Sequence, residues 1–310
     1  MLRFVQSLFN GHSDTKNDPI AAAIEQAVEN TDPWIRAVSG YKKKLRPAVE
    51  KAIAYLDEQV DGMAPSLSLE PSDYSADPRL RAFFISAGAL RKVIEGDPCL
   101  TEYRQKQGKA PAYALLSMIK QEKTVFGAEM TGNVILHDVA QITVSFENHH
   151  FFAPSDSDGT TRAKIKELAF ARLSHLASKR ICFLKAECAG KERRNALLQA
   201  NLGLQQHLRR GMGDPPHIAV PVQDMAQAQI CRNLPENIRE DRILDTYLEI
   251  LRDVLIRPEE HLWISQESII VDRMGIKRRE VRGDASEVPL NMLSNSEGRS
   301  HAVSLVTLPR

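Results

Sequence analysis

The chain has few cysteines, few aromatic residues and no long hydrophobic run. Its 4 cysteines among 310 residues form no CxxC pair, which excludes a disulfide scaffold and a zinc knuckle. So few cysteines are typical of a reducing compartment, and we expect a cytoplasmic protein. No window approaches the roughly 20 uncharged apolar residues that cross a bilayer, so we also expect no membrane span.

The chain also has little net charge. Lys and Arg total 41 against 40 Asp and Glu, and the resulting +1 excludes a strongly basic packaging protein. Hydrophobic residues make up 43% of the chain, which is enough to build a core and too much for wholesale disorder. A length of 310 residues allows one large domain or two smaller ones.

Strand-like segments lie on both sides of a long helical block. Ile142, Val144 and Phe146 alternate with polar residues, as in a strand with one buried face. The segment 111–122, in contrast, has the spacing of a short helix. Because neither strand group alone supplies three strands, we predict that they share a sheet. The predicted fold is α+β and mainly helical, with a small antiparallel sheet built from segments 124–152 and 262–308 and a long helical hairpin inserted between them.

Prolines, glycines and changes of hydrophobic period divide the chain into five predicted segments. They are an N-terminal helical segment at 1–62, a linker or loop at 63–77, helices plus a β-hairpin at 78–159, a helical insertion at 160–257, and C-terminal strands that complete the sheet at 258–310.

The helical insertion carries the strongest charge contrast in the chain. Between Arg162 and Arg210, twelve basic residues stand against three acidic ones, giving a net charge of +9. The segment 236–260 has a net charge of −4. Since both segments also have apolar stripes that need a partner, we predict that the helix 237–257 packs antiparallel against part of 160–210. Any basic surface left over would attract phosphate or an acidic protein.

These features predict a non-enzymatic binding, assembly or regulatory protein that acts through a long basic amphipathic helical arm of coiled-coil character. The expected partner is an acidic protein or a second copy of the chain. No small-molecule ligand, cofactor, catalytic residue or metal ligand is assigned. Whether the helix is broken near Gly190 stays open. The predicted binding residues are Lys179, Arg180, Lys185, Arg193, Arg194, Arg209 and Arg210.

Two alternative functions remain open at this stage. The same basic helix could bind nucleic acid, because phosphates attract Lys and Arg. A metal-dependent hydrolase is a weaker alternative, because His137, Asp138, Glu147 and His149 are residue types that bind metals or move protons. Its difficulty is distance, since His137 and His149 would lie roughly 40 Å apart in one extended strand.

Overall fold

The computed structural model describes residues 18–131, 134–211 and 240–309. These residues form α-helices at Pro19–Thr31 (α1), Tyr41–Asp61 (α2), Pro78–Phe83 (α3), Ala87–Gly96 (α4), Pro98–Gln107 (α5), Asp158–Gly211 (α6) and Glu240–Ile256 (α7). The strands are Leu67–Ser68 (β1), Tyr113–Thr131 (β2), Val134–Ser155 (β3), Leu262–Val271 (β4), Ser286–Asn295 (β5) and Ser300–Thr307 (β6). Short 3-10 helices occupy Pro33–Ala37, Pro71–Ser75 and Pro258–Glu260. The predicted α+β fold is confirmed, with the long helix between β3 and α7.

Four helices form a bundle around one hydrophobic core. Local chemistry starts α1, because the Asp18 side chain accepts a hydrogen bond from the Ile20 N–H at 3.1 Å and Pro19 fits the first helical turn. The core joins α1, α2, the first half of α6 and α7, and it buries Ile24, Leu173 and Leu251. Burying each such side chain contributes about 1.5–3 kcal/mol, so packing holds these helices together.

The helix α7 runs antiparallel to α6, as the sequence predicts. Lys185 of α6 lies over the Tyr247 ring, with its Nζ 5.0 Å from the ring centroid. Arg180, more than one turn earlier in α6, lines a surface groove with Asp253 and Ile256, which come later in α7. The two helices therefore run in opposite directions. The start of the predicted helix, at 237–239, lies outside the described residues.

The strands form one sheet in the order β3-β2-β6-β5-β4. Neighbours along this order pair antiparallel, and β1 adds a parallel pairing to β6 through Leu67 opposite Val306. One face of the sheet packs on α3, α4 and α5 around Phe83, Leu90 and Leu100. The other face packs on the end of α2 and the start of α6 around Val60 and Ile165.

A short segment after β4 joins the two edges of the sheet. The Val144 N–H of β3 donates to the Gly275 carbonyl at 2.8 Å, and the Arg278 N–H donates to the Ile270 carbonyl of β4 at 2.8 Å. The sheet therefore closes on itself at this end. Gly275 has φ = 77°, and a Cβ there would lie 3.0 Å from the Val144 carbonyl oxygen. Only glycine takes this conformation and this close approach without strain.

The helix predicted over 111–122 is wrong, because residues 113–122 lie in β2. Ala114, Leu116 and Met118 face the core that contains α3–α5, while Leu115 faces the core that contains α2 and α6. A strand with both faces buried is apolar at consecutive positions, so its sequence lacks the alternation that identifies a strand. Pairing with β3 on one side and β6 on the other decides the conformation.

The strand β3 contains three irregularities in its pairing with β2. The register shifts fall between Tyr113 and Leu115, between Ser117 and Ile119, and between Gly127 and Glu129. Beside each shift, one residue of β3 has positive φ, and these residues are Ala153 (52°), Asn148 (53°) and Asp138 (59°). Bulges of this kind increase strand twist. Asn and Asp tolerate the left-handed region, whereas alanine there costs about 1–2 kcal/mol.

Ala153 gives a test of this backbone geometry. We expect Ala153→Val to lower the free energy of unfolding by about 2 kcal/mol or more, because a β-branched side chain fits poorly at positive φ. The matched variant, Ala153→Gly, should stay within about 1 kcal/mol of wild type, since relief of strain offsets the loss of a buried methyl group. Urea denaturation measures both variants. A valine variant as stable as wild type would contradict the assigned conformation.

Candidate functional site

The described residues outside α6 form what we call the body, and α6 extends beyond its last described hydrogen bond to the body. That bond, the anchor of α6, comes from Lys185, whose Nζ donates to the Asp32 carboxylate at 2.6 Å. Asp32 is 4% exposed and also accepts a hydrogen bond from the Trp34 N–H at 2.9 Å. The Asp32 carboxylate raises the pKa of Lys185, which keeps this anchor charged.

We call residues 186–211 of α6 the arm. Every residue from 189 to 202 is exposed, and the side chains of 203–211 lie outside the described part of the chain. At 1.5 Å per residue, the 26 residues of the arm extend about 39 Å. The helix continues through Gly190 without a break, which answers the question that the sequence leaves open.

The positive charge on the first half of α6 is largely compensated by the body. Five of its basic side chains contact carboxylates, four of them on the body and Arg162 on Asp158 of α6 itself, and a sixth, Lys164, donates to the Pro154 carbonyl at 2.5 Å. Glu297, in the turn between β5 and β6, accepts from two of the five, and Lys179 in particular lowers its pKa. The five residues with carboxylate partners are Arg162, Lys166, Arg172, Lys179 and Lys185.

The seven predicted binding residues are therefore split between the first half of α6 and the arm. Lys179 and Lys185 form ion pairs with the body, and Arg180 lies beside Glu249 and Asp253 of α7. Arg193 and Arg194 are exposed on the arm. The side chains of Arg209 and Arg210 lie outside the described residues, although both positions belong to the helical backbone of α6.

The arm also exposes large apolar side chains. The exposed fractions are 66% for Leu197 and 53% for Leu202, and Phe183, just before the arm, is 67% exposed. At about 100° per residue, Leu197 lies roughly 160° around the helix axis from Ile181, which is buried in the bundle. The face that carries Leu197 and Phe183, which we call the apolar face of the arm, therefore points away from the body core, whereas Leu202 lies only about 60° around the axis from Ile181. The sequence alone could show this change, because the buried apolar positions of the first half of α6 and Leu197 of the arm lie on different faces of one helical projection.

Lys191 is a basic arm residue that the predicted set omits. Five basic residues of the arm stand against Glu187 and Glu192, which leaves the arm with a net charge of +3. Lys191 and Arg193 lie about 80° to either side of Phe183 in helical projection. They therefore flank the same face that carries Leu197. Basic side chains that flank an exposed leucine are suited to binding another macromolecule.

The residues of the hydrolase alternative do not come together. His149 donates from Nε2 to the Phe83 carbonyl at 2.8 Å and stacks on Phe84, and burial lowers its pKa. Glu147 contacts Lys123, while His137 and Asp138 are exposed near the far end of the hairpin. Within residues 18–131, 134–211 and 240–309, no three His, Cys, Asp or Glu side chains are placed to hold a metal ion.

Comparison of this chain with known proteins gives no match to a protein family, a curated protein or a solved structure. Among the helices of the described residues, none combines the length and the apolar character needed to cross a membrane.

Proposed function

We propose that this is a non-enzymatic binding or assembly protein whose arm docks another protein. One observation carries the proposal: α6 continues for about 39 Å past its anchor at Lys185 and exposes leucines and arginines together. Isolated amphipathic helices are marginal in water, so an exposed stripe of this kind is stabilised by packing against a second surface.

The chemistry of the arm favours a protein over a nucleic acid. Residues 186–211 contain no Phe, Tyr or Trp on which bases could stack. Lys179 and Lys185, two members of the predicted phosphate-binding set, are held by carboxylates of the body. Exposed leucines give no advantage on a phosphate backbone, whereas exposed apolar side chains are typical of a surface that another protein covers.

Site-specific photo-crosslinking in the native cell tests the proposal. A photoreactive phenylalanine analogue replaces Leu197 on the apolar face, and the matched control places it at Gln199. Both residues are exposed, and they lie about 160° apart around the helix axis. We expect a discrete protein adduct from position 197 and at least about tenfold less of it from 199, because only the apolar face is covered by the partner.

The other outcomes of this experiment are equally informative. Equal labelling at the two positions, or none at either, would falsify docking on this face. An adduct that nuclease removes would instead support the nucleic-acid alternative and overturn ours. The metal-dependent hydrolase remains an independent prediction, and elemental analysis of the purified full chain without stoichiometric metal would contradict it.

A further inference from the structure

We propose that His261 is a pH switch at the junction between the helical bundle and the sheet. The neutral ring is buried at this junction, and protonation of the ring loosens the contact between residue 261 and the turn that joins β5 to β6. The proposal does not depend on the arm or its partner. Two observations carry it: the ring is buried without a hydrogen-bond partner, and charged groups surround it.

His261 joins three parts of the fold. It follows the 3-10 helix at Pro258–Glu260 and directly precedes β4. Its backbone carbonyl accepts a hydrogen bond at 3.1 Å from the Ser296 N–H, in the turn between β5 and β6. The next residue of that turn, Glu297, accepts from Lys179 of α6 at 2.7 Å. A displacement of His261 would therefore reach the turn first and then the contact of the turn with α6.

The His261 ring has no polar partner in its buried position. The residue is 4% exposed, and neither Nδ1 nor Nε2 has a hydrogen-bond partner among the described residues. A neutral imidazole leaves one N–H donor and one acceptor unpaired there, whereas a protonated ring leaves two N–H donors and a positive charge unpaired. An unpaired charge costs far more in a buried site than an unpaired neutral group, so the folded protein favours the neutral ring.

Four charged groups act on the ring, one from α6, two from the end of α7 and the residue after it, and one from the 3-10 helix. They are Arg180, Asp253, Arg257 and Glu260. Burial is the main cause that lowers the pKa of His261 below its ordinary value of about 6.5, and the positive charge of Arg180 lowers this pKa further. Glu260 and Asp253 act in the opposite direction.

Both of these carboxylates are already paired with Arg257. Arg257 contacts Asp253, and its guanidinium lies 3.4 Å from a Glu260 carboxylate oxygen. In the turn between β5 and β6, Glu297 is likewise engaged by two basic side chains of α6. The neutral ring therefore faces carboxylates whose charge is compensated. A protonated ring would compete with Arg257 for Asp253 and Glu260, and a move toward them takes the ring out of its present position.

The direction of the pH effect follows from the lowered pKa. Between the ordinary histidine pKa and the lower value in the folded state, the opened or unfolded chain binds a proton that the folded protein does not. The junction is therefore fully stable above about pH 6.5, and it loses stability as the pH falls toward the folded-state pKa of His261. Burial also lowers the pKa of His149, so the test isolates position 261 by substitution.

Hydrogen exchange of the full-length protein, followed by NMR, tests the proposal at the Ser296 N–H. The exchange rate is compared at about pH 7.5 and about pH 5 after correction for intrinsic exchange. We expect the corrected rate to rise at least about fivefold in the wild type and less than about twofold in His261→Met, which removes the titrating group and keeps a similar volume. The matched amide is Val38, which donates to the Ile35 carbonyl at 3.0 Å, and its rate should change less than about twofold in both proteins.

A second variant tests the role of the two carboxylates. Arg257→Gln removes a nearby positive charge and releases Asp253 and Glu260, and both effects should raise the pKa of His261 in an NMR titration of the ring. The exchange response at Ser296 should then fall below about twofold over the same pH range. The Arg257 side chain is 48% exposed, so the variant should fold as the wild type does. Arg252→Gln, an exposed change on α7, is the matched control and should leave the titration unchanged.

Three results overturn the proposal. They are a ring that titrates at or above its ordinary pKa in the wild type, a Ser296 exchange rate that does not rise on acidification, and an equal rise in the wild type and in His261→Met. If His261→Met does not fold, the wild-type titration and the comparison with Arg257→Gln decide the question, because both use proteins that keep the histidine.

Discussion

Replacing Lys166 with glutamate should destabilise the protein by about 3–5 kcal/mol. The Lys166 side chain is 7% exposed, and its Nζ lies 2.7 Å from an Asp57 carboxylate oxygen and 2.9 Å from one of Asp61. These contacts join the start of α6 to the end of α2. Lys166→Glu would place three carboxylates together and leave one of them buried without a counter-charge. Urea denaturation monitored by circular dichroism measures the loss.

The matched control is Lys166→Met, which keeps most of the aliphatic stem and removes the charge. Asp57 and Asp61 are 41% and 59% exposed, so water can solvate them when the lysine is absent. We therefore expect Lys166→Met to cost about 1.5 kcal/mol or less. If the methionine variant lost as much stability as the glutamate variant, loss of packing would explain both, and like-charge repulsion at this site would be excluded.

The second large effect is expected at Asp97. Its side chain is buried and holds two elements together, because Oδ1 accepts from the Leu100 N–H at 3.0 Å and Oδ2 accepts from the Phe151 N–H at 3.2 Å. The first bond caps α5, and the second satisfies a buried N–H of β3. Asp97→Ala removes the cap and leaves that N–H unpaired, which should cost about 2–4 kcal/mol in the free energy of unfolding.

Ser86→Ala serves as the comparison, because Ser86 also caps a helix but does so at the protein surface. The Ser86 hydroxyl accepts from the Ala89 N–H at 3.1 Å and caps α4 at the protein surface. Water can replace this hydroxyl, so the expected loss is about 0.5–1 kcal/mol. Chemical denaturation of the two variants side by side checks the difference. Equal losses would show that the bond from Phe151 to Asp97 contributes no stability.

Most of the fold follows from patterns that are local in the sequence. Asp-Pro pairs mark the starts of α1 and α3, and the period of four and three residues predicts the long helix and its antiparallel neighbour. The spacing of apolar residues over 78–96 predicts one helix, but the structure has two, because Phe84 leaves the helical region and Ser86 caps a new helix. The apolar spacing continues across this break through Ala87, Leu90 and Ile94, so hydrophobic periodicity alone does not reveal it.

The candidate site could be predicted only in part. The sequence identifies a basic helix and names Arg193 and Arg194, which are exposed on the arm. It also names Lys179 and Lys185, which contact Glu297 and Asp32. These partners lie more than 100 residues away in the chain, and a net charge counted along one helix contains no information about them.

By itself, the sequence determined the fold class, the order of the helical and strand blocks and the excess of positive charge on α6, because each depends on residues a few positions apart. Only the tertiary structure decided which of those charges remain free. The body closes around α6 as far as Lys185 and brings distant carboxylates to its basic side chains. Beyond Lys185, no described part of the body covers Leu197 or pairs with Arg193. Charge compensation and burial depend on distance in space and not on distance along the chain, so a charge count along the sequence could not reveal this.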